Sequence, residues 1–251
     1  MLEIKNLSVT KSKTEILNDV SFSLKPHTIT VIIGKNGSGK STLLSCLTGE
    51  SKYKGTIHYD DKNLALMSEK QRATLISLLP QSLPAVPVTV ENLVAMGRTP
   101  YIDFGRRLSD KDKEQIEKAI CDVGIENIRY KKLTEISGGE RQKAYVAMVL
   151  SQNTRIIALD EPTTYMDMQF QKEFVSLLTS LKEKHKKTLI VVMHDLSKAA
   201  EIADYILLLN EGRVVASGKK EEVLQSGKIE STFGVKKYEI LIDGQNRIIF
   251  E

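Results

Sequence analysis

The octet Gly34-Lys35-Asn36-Gly37-Ser38-Gly39-Lys40-Ser41 constrains this chain more than any other stretch. It follows the apolar, β-branched run Thr28 to Ile33 and leads into Thr42-Leu43-Leu44-Ser45-Cys46-Leu47, which reads as strand, glycine-rich loop and helix. Its glycines let the backbone curl until several N–H groups converge at a helix N-terminus, where unpaired donors and the helix dipole favour an anion. Phosphate suits such a cradle. Lys40 would reach the β- and γ-phosphates of a nucleoside triphosphate, the Ser41 hydroxyl would ligate magnesium, and Thr42 would stand beside it at the helix start.

Further along, Arg155-Ile156-Ile157-Ala158-Leu159-Asp160-Glu161 is an apolar strand ending in two carboxylates. Asp160 would hold magnesium, directly or through water. Glu161, turned the other way by strand alternation, would polarise a nucleophilic water as general base. Upstream of it, Ile136-Ser137-Gly138-Gly139-Glu140-Arg141-Gln142 precedes a helix expected over Arg141 to Leu150. Ser137 would supply a hydroxyl, the glycines Gly138 and Gly139 would let backbone amides approach phosphate, and the helix would direct its positive end there.

This last segment resembles the signature motif of ATP-binding cassette proteins, and the resemblance extends over nearly the whole chain. It implies that the signature of one subunit meets the γ-phosphate held by the phosphate loop of another, with two ATP molecules sandwiched in a homodimer. On the same resemblance Gln81, after the run Leu75 to Pro80, matches the Q-loop glutamine that touches magnesium and the attacking water. His194, after the strand Thr188 to Met193, matches the switch histidine at the γ-phosphate, and Asp167 matches the interface aspartate of the D-loop. Two positions depart from the pattern. Lys11 stands where the family usually offers an aromatic ring to adenine, so its aliphatic stem would pack there instead. Glu140 stands where Gln is commoner and would add a negative charge near phosphate.

Composition excludes several other classes. The net charge of +4 is spread along the 251 residues, without the basic stripe and interleaved aromatics of a nucleic-acid surface. Cys46 and Cys121 have no metal-ligand or CxxC spacing. The longest apolar runs, such as Leu189 to Met193 and Tyr205 to Leu209, are strand-sized, far below the ~20 residues that cross a bilayer, and Met1-Leu2-Glu3-Ile4 has no signal-peptide character. A membrane role would need another chain to span the bilayer.

Strand patterning marks Leu2 to Val9, Glu15 to Leu24 and Thr56 to Tyr59, and helical patterning marks Val90 to Met96 and Ser109 to Val123, with Ser109 as N-cap and Gly124 past the end. After Arg155 strand and helix alternate, with Met166 to Lys184 amphipathic, which indicates a parallel sheet with crossover helices. A hairpin is expected from Tyr238 to Phe250, turning at Asp243-Gly244-Gln245-Asn246. The expected fold is α/β: a RecA-like core with an antiparallel β subdomain over 1–80 and 153–225, an inserted helical subdomain over 81–152, and a C-terminal hairpin tail over 226–251.

Two segments look like one subgroup, the ATPases of bacterial iron-siderophore, haem and vitamin B12 importers. These are Val88 to Tyr101, with its Gly97-Arg98-Thr99-Pro100, and Asp160 to Gln171, with Thr163-Thr164-Tyr165. The resemblance implies a subunit on the cytoplasmic face of a bacterial membrane, bound to an integral-membrane permease and through it to a solute-binding protein. Gly105-Arg106-Arg107-Leu108-Ser109 would lie where the permease's coupling helix docks. Importers of zinc, manganese or other small solutes, and a soluble cassette ATPase of iron-sulfur assembly, stay open as alternatives.

Overall fold

A computed structural model describes residues 1–103, 107–163, 167–242 and 245–251. The expectations for Gly105 and Arg106, for Thr164-Tyr165-Met166 and for the turn residues Asp243 and Gly244 lie outside the described residues. The chain forms two compact units, residues 1–67 with 188–251, and residues 68–187.

In the first unit, strands Thr14–Leu24, Leu2–Lys11, Lys54–Tyr59 and Lys62–Asn63 lie side by side in an antiparallel sheet. The first hairpin is longer than the apolar pattern predicts, because Ser12 and Lys13 both take positive φ (48° and 69°), the two-residue turn whose twist matches that of paired strands. Leu2, Ile4, Leu7 and Val9 are buried, and their alternation slips where the register shifts between Ile4 and Leu7. A second set of strands runs Arg213–Lys219, Tyr205–Asn210, Ile29–Gly34, Thr188–Val192, the inner pairs parallel. Ile29–Gly34 and Thr188–Val192 are buried at every residue, as strands covered on both faces require. The C-terminal strands Lys237–Ile242 and Gln245–Phe250 form a hairpin, but Gln245 and Asn246 pair with Ile242 and Leu241 instead of turning, and the expected tail over 226–251 opens with helix Lys228–Phe233; the Phe250 N–H donates to Ser197 Oγ (3.3 Å) at the start of helix Leu196–Ile202.

In the second unit, strand Ile76–Leu79 pairs in parallel with Ile156–Asp160. Helices Val90–Met96, Asp110–Val123 and Gly138–Ser151 pack on one another, and Met168–Glu183 buries Phe170, Phe174, Leu178 and Leu181. Helix Asp110–Val123 starts at the predicted cap: Ser109 Oγ accepts from Asp112 N, the Asp112 carboxylate accepts from Ser109 N, and Gly124 closes the far end at φ 68°.

Two expectations are corrected here. The signature helix begins at Gly138, three residues earlier than expected, because Ser137 is its N-cap. Glu161 lies outside the strand with φ 52°, so strand alternation does not aim it; a left-handed turn does. No helix among the described residues is long and apolar enough to cross a membrane.

Candidate nucleotide site

The phosphate loop leaves the buried strand Ile29–Gly34 and becomes helix Lys40–Thr48 through Gly39, its N-cap at φ 98°. A Cβ at Gly39 would stand 2.5 Å from Leu17 Cδ2 and 3.0 Å from the Ile16 carbonyl, so the packing as well as the φ angle demands glycine. Among the described residues six other helices have a side chain, on Ser68, Thr89, Ser109, Ser137, Asp167 or Asp195, that accepts from their first N–H groups, and the short helix Lys228–Phe233 has no such bond. Helix Lys40–Thr48 has none. Its donors are thus left for an external acceptor. Lys40 is buried and its ammonium donates to the carbonyls of Gly34 (2.8 Å) and Lys35 (3.0 Å), poised over the loop it belongs to. Ser38 Oγ is buried without a hydrogen-bond partner among the described residues. An uncapped helix start, a buried hydroxyl and a buried ammonium fit a phosphate chain. Lys35, Asn36, Gly37 and Ser41 are exposed and Thr42 is half-buried.

Two more predicted residues belong to this unit. Lys11 is exposed at the hairpin end, and its charge opposes the burial that pushes the Cys46 thiol, on the phosphate-loop helix, up to about 12. His194 is exposed two residues beyond the Ile32–Val192 pair, and Met193 N donates to Ile32 O (3.1 Å). The register therefore carries His194 out at the end of the sheet where the loop begins.

The second unit groups the others. Asp160 ends its strand buried, whereas Glu161 is half-buried and its Oε2 accepts from Gln81 Nε2 at 2.9 Å. Gln81 follows strand Ile76–Leu79, so the parallel pairing of that strand with Ile156–Asp160 delivers amide and carboxylate to the same edge. Hydroxyls of Ser77 and Thr154, 2.8 Å apart, lock the pair at its other end.

Ser137 and Glu140 make a reciprocal cap: Ser137 Oγ accepts from Glu140 N (3.2 Å), and Glu140 Oε2 accepts from Ser137 N (2.8 Å). The Ser137 N–H foremost, with the Ser137 hydroxyl contributing, holds the Glu140 carboxyl below its ordinary range. The added charge is therefore engaged by its own helix terminus. A Cβ at Gly138 would meet nothing within 4 Å, leaving that helix start open to approach. Asp167 caps helix Met168–Glu183, its Oδ1 accepting from Phe170 N at 2.7 Å.

Three residues take partners far along the chain that the sequence analysis did not assign. Gln142, on the buried stripe of the signature helix, donates through Nε2 to the Pro162 carbonyl. Tyr145 OH donates to Pro84 O at 2.9 Å. Arg98 is buried against Asp112. The available signal was a glutamine among apolar neighbours, which a buried helix face tolerates only with partners.

Comparisons with known proteins agree with this arrangement. The family model described as ABC transporter matches residues 17–164. The chain is 38% identical over 235 residues to the petrobactin import ATP-binding protein FpuD of Bacillus anthracis, covering 92% of this chain and 86% of that protein. It is 34% identical to the ferric enterobactin transport ATP-binding protein FepC of Escherichia coli, covering 92% and 86% of the two. Among solved structures, an inward-facing ABC transporter described as of metal-chelate type matches with TM-score 0.86 at 25% identity, over 100% of this chain and 96% of that one. A dimeric bacterial ABC transporter cassette matches with TM-score 0.78 at 25% identity, over 88% and 99%. The family model and the relatives matched over nine tenths of the chain show that it belongs to the ABC transporter family, as one of its ATP-binding, ATP-hydrolysing subunits.

Proposed function

We propose that the chain powers import of an iron chelate, a siderophore complex or haem, through a membrane permease. The observation that carries this reading is that relatives named for petrobactin import, ferric enterobactin transport and hemin import each align with more than nine tenths of the chain. In this reading ATP lies on the loop Gly34 to Thr42, with Lys40 and the helix N–H groups on its phosphates and Lys11 beside the base. Ser41, Asp160 and Gln81 offer only oxygen ligands, the donor set that suits magnesium, which when bound would neutralise charge on the phosphates. Glu161 accepts a proton from the attacking water, and His194 donates toward the γ-phosphate. Ser137, Gly138, Gly139, Glu140 and Asp167 serve the partner subunit's nucleotide in a homodimer, a form known for the matching cassette. ATP's higher affinity for the closed dimer would drive the permease between its states at the cytoplasmic face of the membrane.

Cells relying on this chain should take up radiolabelled iron as a siderophore complex or haem, and Glu161→Gln should abolish that uptake. Undiminished chelate uptake in the variant, with loss of another solute's import, would redirect the reading to a different importer.

The hairpin end offers a separate expectation. Lys11→Tyr should present a ring to adenine and tighten ATP binding by about 0.5–1.5 kcal/mol, the scale of an aromatic pair beyond burial. Titration of a fluorescent ATP analogue checks it, and unchanged affinity would move the base away from Lys11.

A further inference from the structure

Glu161 combines two disfavoured features: it is left-handed, at φ 52°, and it precedes a proline, whose ring crowds the residue before it. Such a turn persists only where its surroundings hold it. One hold on it is Gln142, whose Nε2 donates to the carbonyl of Pro162. Gln142 is 2% exposed, and the reverse orientation of its amide would set two carbonyl oxygens face to face, so the donor end is fixed. One helical turn later, Tyr145, 7% exposed, donates its hydroxyl to Pro84, three residues beyond Gln81. Residues three apart share a helix face. Since Gln81 Nε2 reaches Glu161 Oε2, these bonds close a ring: helix to Pro162, Glu161 to Gln81, Pro84 back to the helix. Pro80, Pro84 and Pro87 stiffen the segment bearing Gln81, so a tether at Pro84 constrains the glutamine as well.

We propose that Gln142 and Tyr145 are positioning residues that hold, from one face of the signature helix, the two loops presenting Gln81 and Glu161. The inference rests on the reading of Glu161 as general base. It ties the orientation of that base to the helix whose N-cap is Ser137, so a displacement of the signature helix is felt at the Glu161 turn.

The test uses the full chain. Tyr145→Phe removes one hydroxyl and keeps the ring; Gln142→Met keeps the size and loses the donor. Each should lower kcat about ten- to a hundredfold, the scale of a misplaced reacting group, with ATP KM and Tm close to those of the parent. Combined, the two should cost less than the product of the single losses, because both act on one loop pair. Gln142→Glu can donate to Pro162 only when protonated, so its kcat relative to Gln142→Met should rise as pH falls from about 8 to about 6. If Glu161→Gln on the same assay still hydrolyses ATP, the base reading fails and takes the inference with it. If Glu161→Gln is inactive while Tyr145→Phe and Gln142→Met keep kcat within twofold of the parent, or lose activity only as Tm falls, the base stands and the positioning role is overturned.

Discussion

Glu161→Gln is expected to lower steady-state ATP hydrolysis by about 10²- to 10⁴-fold, the usual contribution of a general base, while leaving nucleotide affinity within about twofold. At roughly 1.36 kcal/mol per decade this is about 2.7–5.4 kcal/mol of the barrier. The substitution isolates the proton acceptor, since Gln keeps the shape of Glu and its carbonyl oxygen can still accept from Gln81 Nε2, which lies 2.9 Å from the native carboxylate. The turn at φ 52° needs no side-chain charge and should persist. Binding should survive because the proposed phosphate contacts are those of Lys40 and the uncapped helix start, which the change leaves alone. Hydrolysis and nucleotide binding measured on one preparation check this, and turnover within about threefold of the parent would remove Glu161 from the role.

How much of this was legible in the sequence depends on how local each cause is. The phosphate loop is a local device: glycines, a lysine and a hydroxyl at fixed spacing between strand and helix, and helix Lys40–Thr48 follows where the pattern puts it. Helix Asp110–Val123 was equally plain, because its cap and its terminating glycine are written into the residues at its ends. The start of the signature helix was also local. Ser137 and Glu140 have the spacing of a capping box, and their reciprocal bonds start the helix at Gly138. Glu161 could not be oriented from the strand pattern, since its turn is held by a residue 19 positions earlier bonding to its neighbour, 20 positions away. Tyr145 and Pro84 are 61 apart, and Arg98 and Ser151 are 53 apart. Partners at such separations leave only an indirect trace, a polar side chain on an apolar stripe.

Arg98 supplies the largest expected effect on stability. It was conspicuous in the sequence only as part of Gly97-Arg98-Thr99-Pro100-Tyr101; in the fold its Nε donates to Asp112 Oδ1 at 2.9 Å and its Nη1 to the Ser151 carbonyl at 2.7 Å, with the guanidinium 3.9 Å from the Tyr101 ring centre. Both charged side chains are about nine-tenths buried. The pair therefore joins the end of helix Val90–Met96, the start of Asp110–Val123 and the end of Gly138–Ser151. Arg98→Met is expected to destabilise the unit of residues 68–187 by about 3–5 kcal/mol at pH 7, because it strands a buried carboxylate. Adding Asp112→Asn, which keeps an acceptor for Ser109, should recover part of that loss, since the attraction of a buried pair is largely offset by its desolvation. The pH dependence has a definite sign. The Ser109 hydroxyl first, with Arg98 contributing, holds the Asp112 carboxyl below its ordinary range. A depressed carboxyl contributes stability that is present above the unfolded value of about 4 and is lost as pH falls through the folded one. The gap between the parent and Arg98→Met should accordingly be widest at neutral pH and narrow as the medium is acidified below about pH 4. Denaturant unfolding at several pH values measures it, and amide hydrogen exchange over residues 98–123 localises it. A gap that stays constant down to acid, or an Arg98→Met loss below about 1 kcal/mol, the level of a surface ion pair, would mean that apolar packing of the three helices, rather than this ion pair, holds the unit together.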